Sequence, residues 1–185
     1  METKGLRKRD LSISFWRANF YTILFGLPIF VIFYFLFSLF WDKLVIPYKY
    51  PYWLIYLIGV FIHELIHGIF AIKFSKQGMK SIKLGISWKL LTPYCHCKEA
   101  MSIKDYRIVV LAPLIILGII PTIIGLVIGH NIIYSFGIIF ILAAGGDLII
   151  LWKIRNESKN SFVLDCPDKC GCEIYEPEEL SQNIK

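Results

Sequence analysis

The stretch FIHELIHGIF, residues 61–70, sets two histidines and a glutamate inside a run of Phe, Ile, Leu and Ala. A charged group at the centre of a bilayer costs at least roughly 2.5–3.5 kcal/mol. Three neighbouring ionisable residues in an apolar segment therefore need compensation. The segment around them, residues 52–74, is apolar and long enough to cross a bilayer, which takes roughly 20 residues. Three more segments qualify, at about 19–41, 108–130 and 132–152. Of the 185 residues, 56% are apolar and the mean hydropathy is +0.60, more than a soluble domain of this length uses. Trp16, Trp41, Trp53 and Trp152 fall near the proposed ends of the spans, where amphipathic rings prefer to sit.

Basic residues set the orientation. Lys4, Arg7, Lys8, Arg9 and Arg17 precede the first span. Lys76, Lys80, Lys83, Lys89, Lys98, Lys104 and Arg107 follow the second, and Lys153, Arg155 and Lys159 follow the fourth. The other two connections hold only Lys43 and Lys49. With four spans, every basic region falls on one side, so both termini are expected in the cytoplasm of a multi-pass cell-membrane protein. This accounts for the net charge of +6 without a nucleic-acid partner. The expected organisation is a basic cytoplasmic tail (1–18), a membrane domain (19–153) with a cytoplasmic insertion (75–107), and a cytoplasmic C-terminal tail (154–185). Residues 1–14 read as a mobile segment. The first span is too long for a removable signal peptide and lacks a small-residue cleavage site, so it reads as a retained anchor.

The insertion carries a second pattern. In SIKLGISWKLL (81–91), Ile82, Leu84, Ile86, Trp88 and Leu90 alternate with Lys83, Gly85, Ser87 and Lys89. Period-two alternation argues for a strand with one buried face. The predicted fold class is thus an all-α polytopic membrane protein, with about four transmembrane helices and a small cytoplasmic β-hairpin between helices 2 and 3. Ile82, Leu84, Ile86 and Trp88 are candidate substrate-binding residues, because an exposed strand edge can add an extended peptide as a further strand. The alternative is a hairpin that merely lies on the bilayer. The third span holds Pro113 and Pro121 and is expected to kink, since proline removes a helical hydrogen bond.

His63-Glu64-Leu65-Ile66-His67 is an H-E-x-x-H pattern. On a helix, residues four apart share a face, so both imidazoles can reach one zinc ion at about 2.0–2.1 Å. Glu64, beside the first ligand, is placed to act as general base towards a water that zinc acidifies to a pKa near about 7. The alternative is a polar helix contact without metal. A catalytic site takes a third protein ligand. At 1.5 Å per residue, His63 and His67 lie roughly 17 and 23 Å inward from residue 52, and Asp147 roughly 23 Å inward from residue 132. Ala143, Ala144, Gly145 and Gly146 beside Asp147, and Gly59, Gly68 and Ala71 beside the histidines, are small enough for two spans to approach closely. Asp147 is therefore the candidate third ligand, the alternative being a buried acid that is protonated or paired with a lysine. All five cysteines fall on the expected cytoplasmic side, where disulfides are disfavoured. Cys95, His96, Cys97, Cys166, Cys170 and Cys172 could form a second, structural metal site, or the cysteines could be plain thiols.

H-E-L-I-H-G in one span with an aspartate in a later one resembles the membrane-embedded zinc metalloproteases of the site-2 protease kind. The closest resemblance is to a branch of small prokaryotic four-span proteins described as zincin peptidases. LTPYCHCKEAMS, LAPLIILGIIP and CPDKCGCEIYE (within residues 91–176) are similar to that branch as well. The resemblance implies an intramembrane or membrane-proximal zinc endopeptidase. Its one catalytic zinc would be held by His63, His67 and Asp147, with Glu64 as base, and its substrate would be a membrane protein or peptide. Site-2 proteases often carry an Asn and a Pro ahead of the ligand aspartate, whereas Asp147 here follows Gly145-Gly146. Two other readings share the zinc site: a non-catalytic zinc-binding regulatory protein of the membrane, and a zinc-dependent hydrolase of a lipid amide. A base beside a ligand favours catalysis, and a strand edge favours a peptide.

Overall fold

The computed structural model describes residues 6–45, 51–87, 92–166 and 169–177. Trp88, Lys89 and Leu90 of the predicted alternating strand lie outside the described residues. The chain runs β1 (Leu6–Asp10), α1 (Phe15–Phe40), α2 (Tyr52–Phe74), a 3-10 turn (Gly78–Ser81), β2 (Ile82–Ser87), β3 (Thr92–Cys97) and β4 (Met101–Ser102). It continues through α3 (Ile103–Pro113), a π-helical segment (Leu114–Ile119), α4 (Ile120–Ile128), α5 (Asn131–Ala143), α6 (Gly145–Lys153), β5 (Phe162–Asp165) and β6 (Cys172–Pro177).

Three helical runs are long and apolar enough to cross a membrane: Phe15–Phe40, Tyr52–Phe74 and Ile103–Ile128. A fourth passes the same test only if α5 and α6, bent by 44° at Ala144, count as one broken span. Along α1 only Ala18, Gly26 and Phe37 are buried, while Phe25, Ile32, Phe35 and Leu39 all face outward. An apolar outer surface of this extent marks a membrane protein rather than a soluble one.

The third span carries its prolines without a break. Pro113 and Pro121 bracket the π-helical segment, where the repeat widens so that Ile120 N–H reaches Ile115 O. Such a turn is the usual way to keep a helix continuous past an irregular ladder.

The described residues form two antiparallel sheets, of which the second goes beyond the expected all-α fold with one hairpin. One is the β2–β3 hairpin, with Leu84 opposite Cys95 and Ile86 opposite Pro93. The other has four strands in the order β1-β6-β5-β4. Residues 6–10 are therefore not a mobile tail. Arg7 pairs with Glu176 and Arg9 with Ile174, and the Arg9 guanidinium meets both Glu157 and Glu176. The pairing is non-local, which explains why no short-range pattern announces it. Strand β6, from the expected C-terminal tail, lies between β1 and β5 in this sheet.

The hairpin face is also not buried as a whole. Ile82 packs on the core, but Leu84 is 59% and Ile86 49% exposed. Alternation places these residues on one face without stating whether protein covers it. A single core under the four-stranded sheet joins it to the helices through Met101, Ile103, Tyr106, Val163, Cys172 and Ile174. Ser102 caps α3, accepting from Asp105 N–H at 3.2 Å and donating to the Asp105 carboxylate, a reciprocal cap at a helix start.

Small residues do allow close helix packing, but against more neighbours than two spans. A Cβ at Gly59 would stand 2.4 Å from the Phe140 ring of α5, and one at Gly145 would stand 2.4 Å from Thr22 of α1.

Candidate metal centre

His63 and His67 project from one face of α2, with ring centroids 4.9 Å apart. The break at Ala144 starts a new helix, and Asp147 lies in its first turn, a favourable place for a carboxylate. Asp147 Oδ2 is 3.2 Å from His63 Nε2, and Oδ1 is 3.4 Å from His67 Nε2. The three side chains are 11–15% exposed.

The donor set fits zinc on three observations. First, one ligand atom from each residue lies within 4.8 Å of the others. Second, ligands around a tetrahedral zinc at 2.0–2.1 Å stand about 3.3 Å apart, which the two N···O separations bracket. Third, Asp147 Oδ2 and His63 Nδ1 are buried without a hydrogen-bond partner. Buried polar atoms are normally satisfied, so the close approach of Asp147 to His63 lacks hydrogen-bond alignment and leaves the oxygen available to a cation. His67 is anchored on its far side, Nδ1 lying 2.9 Å from Val109 O. That contact directs Nε2 to the site, as metal-binding imidazoles require.

Glu64 stands apart from the ligands. Its Oε2 accepts the backbone N–H of Cys95 at 2.8 Å. It lines two spaces at once. One is a cavity of about 150 Å³ shared with His67, Asp147, Tyr106 and Asp165. The other is a cleft of about 440 Å³ between α2 and the hairpin, lined by Phe61, Leu65, Leu84, Ile86, Pro93 and Tyr94. Of the predicted substrate-binding residues, Leu84 and Ile86 thus border Glu64, and Ile82 belongs to the core.

The six residues of the expected second metal site are not brought together. Among the described residues, His63, His67 and Asp147 form the one group of three or more such ligands. His96 Nδ1 instead meets Asp165 Oδ2 at 3.0 Å. Cys97 Sγ donates to Glu99 O, and Cys170 Sγ to Gly146 O. Burial pushes the Cys95 thiol up to about 12, helped by the Glu64 and Asp165 carboxylates. Burial likewise raises Cys172 to about 12 and Cys166 and Cys170 to about 11. These are protonated thiols at neutral pH.

Asp165 was not among the expected site residues. It faces the cavity from β5, held by His96 and by Tyr106 Oη, which donates to Oδ1 at 3.2 Å. Its signal lay in FVLD: Asp165 shares a strand face with Val163, which is fully buried.

With this geometry in hand, comparison with known proteins gives one match. A family model described as "Putative zincin peptidase" matches residues 56–162, more than half of the chain. The chain belongs to this family. No curated protein and no solved structure matches the chain. The part shared with the zincin peptidase family runs from α2 to the first residue of β5. It contains His63, Glu64, His67 and Asp147, the hairpin and the π-helical segment, while β1, α1 and β6 lie outside it.

Proposed function

We propose that this membrane protein is a zinc-dependent endopeptidase that cuts peptide bonds within or next to the membrane. The observation that carries the reading is the place of Glu64, whose carboxylate borders both the ligand cavity and the open cleft. A zinc ion held by His63, His67 and Asp147 would acidify water and polarise a carbonyl. Glu64 Oε2 is committed to Cys95 N–H, so Oε1 is the oxygen that takes up a proton and returns it to the leaving amine. The 440 Å³ cleft offers Leu84 and Ile86 as apolar contacts beside that carboxylate. Strand β2 has β3 as its partner, and its outer edge suits an extended peptide joining as a third strand. That edge favours a peptide over a lipid amide.

The sheet supports the cytoplasmic placement of both termini. Strands β1, before α1, β4, after α2, and β5, after α6, all belong to it. That these three strands share one sheet supports reading the described segments before α1, after α2 and after α6 as lying on one side, in keeping with an even number of crossings. The basic clusters lie in the same regions.

The test uses zinc-loaded protein in liposomes, presented with single-span peptides carrying extended, helix-poor juxtamembrane segments. Cleavage by wild type, abolished by a zinc chelator and by Glu64→Gln, supports the reading. A Glu64→Gln protein that cuts as fast as wild type removes it.

A further inference from the structure

Val109 lies in α3, four residues before Pro113. In an α-helix the carbonyl of residue 109 would accept the N–H of residue 113. Proline has no N–H to give. Pro113 itself is helical, with φ −64° and ψ −38°, so another residue there would aim its N–H at Val109 O. The next amide does not take the place, because Leu114 N–H reaches Leu111 O. Val109 is buried, where an unpaired carbonyl is costly. The partner that reaches it is His67 Nδ1, at 2.9 Å.

We infer that Pro113 is a positioning residue of the metal centre: by withholding a backbone N–H, it frees the Val109 carbonyl to hold His67. The carbonyl accepts, so Nδ1 is the donor and Nε2 is the ring nitrogen left facing Asp147. His63 has no such anchor, its Nδ1 being without a partner. His67 is therefore the ligand whose direction is set before metal arrives, and the third span sets it. The inference rests on reading His63, His67 and Asp147 as a metal centre. Pro121 provides an internal control: it lies in the same span, at the start of α4, and among the described residues no imidazole is bonded to a backbone carbonyl beside it.

The experiment compares full-length wild type, Pro113→Ala and Pro121→Ala in detergent. Zinc affinity is read by competition with a chromophoric chelator, and thermal unfolding is followed on the metal-free proteins. Pro113→Ala restores a helical donor that competes for Val109 O. Zinc affinity should fall by about 10–100-fold, the range for lost support of a ligand. The metal-free variant should melt no lower than wild type, because alanine suits a helix interior better than proline. Pro121→Ala should bind zinc as wild type does. Unchanged affinity in Pro113→Ala, an equal loss in Pro121→Ala, or a loss accompanied by a lower melting temperature would overturn the inference. A second measurement needs no variant: ¹⁵N spectra of zinc-loaded wild type should show His67 bound through Nε2 and protonated at Nδ1, and metal bound through Nδ1 overturns the claim. Wild type that takes up no zinc defeats the metal-centre reading, whereas zinc-binding wild type with an indifferent Pro113 defeats this inference alone.

Discussion

Glu64 Oε2 accepts the backbone N–H of Cys95 at 2.8 Å, which ties the acid of α2 to strand β3. Cys95 lies opposite Leu84 in the hairpin, so the strand that borders the cleft also fixes the carboxylate. Cys95→Pro removes this donor while keeping an extended backbone. Losing a hydrogen bond to a charged group is worth about 1.5–3 kcal/mol, and peptide hydrolysis should fall by about 10–100-fold on that basis. Zinc content should stay as in wild type. Cys95→Ala, which keeps the N–H, should retain most activity. Equal loss in both variants would show that the thiol, not the N–H, matters.

Glu64→Gln keeps the size of the side chain and an oxygen for Cys95 N–H but removes the base. Hydrolysis should drop by about 10²–10⁴-fold, the span of general acid–base catalysis, with zinc retained. Elemental analysis and a cleavage assay on one sample decide this. Loss of zinc together with activity would instead make Glu64 a ligand or a folding determinant.

Gly59 lets α2 pack against Phe140, a buried ring also packed on Phe136. Gly59→Ala should destabilise the protein by about 1–3 kcal/mol, as overpacking does. Pairing it with Phe140→Leu should recover part of the loss. The readout is the thermal midpoint in detergent, and an unchanged midpoint would show that the two helices separate freely.

The raised thiols give a pH dependence. Cys95 and Cys172 are pushed from 9.0 up to about 12 by burial. Folding therefore favours their protonated forms. Their contribution is complete below pH 9 and is lost as pH rises from about 9 towards about 12. Alkylation at pH 8 should be slow in the folded protein and fast after unfolding, as followed by mass spectrometry. Rapid modification of Cys172 at pH 8 without unfolding would contradict its burial.

Much of the site could be read in the sequence because it is local or periodic. The apolar runs mark the membrane helices, and H-E-x-x-H fixes His63, Glu64 and His67 by helical spacing alone. The approach of Asp147 to the histidines follows from depth along two apolar segments. What the sequence withheld depends on contacts between distant residues. Strand β1 forms only because β6, more than 160 residues away, lies beside it. The exposure of Leu84 and Ile86 depends on what covers a face, which alternation does not record. The prolines of the third span were legible as irregularities, but their resolution as a π-helical turn, and the carbonyl that Pro113 leaves for His67, required the helix packing.

The most direct test is the zinc content of purified wild type, His67→Ala, Asp147→Ala and Glu64→Gln. The account predicts about one zinc per chain in wild type and in Glu64→Gln, and little in the other two. Wild type without zinc, or Asp147→Ala with a full complement, would contradict it.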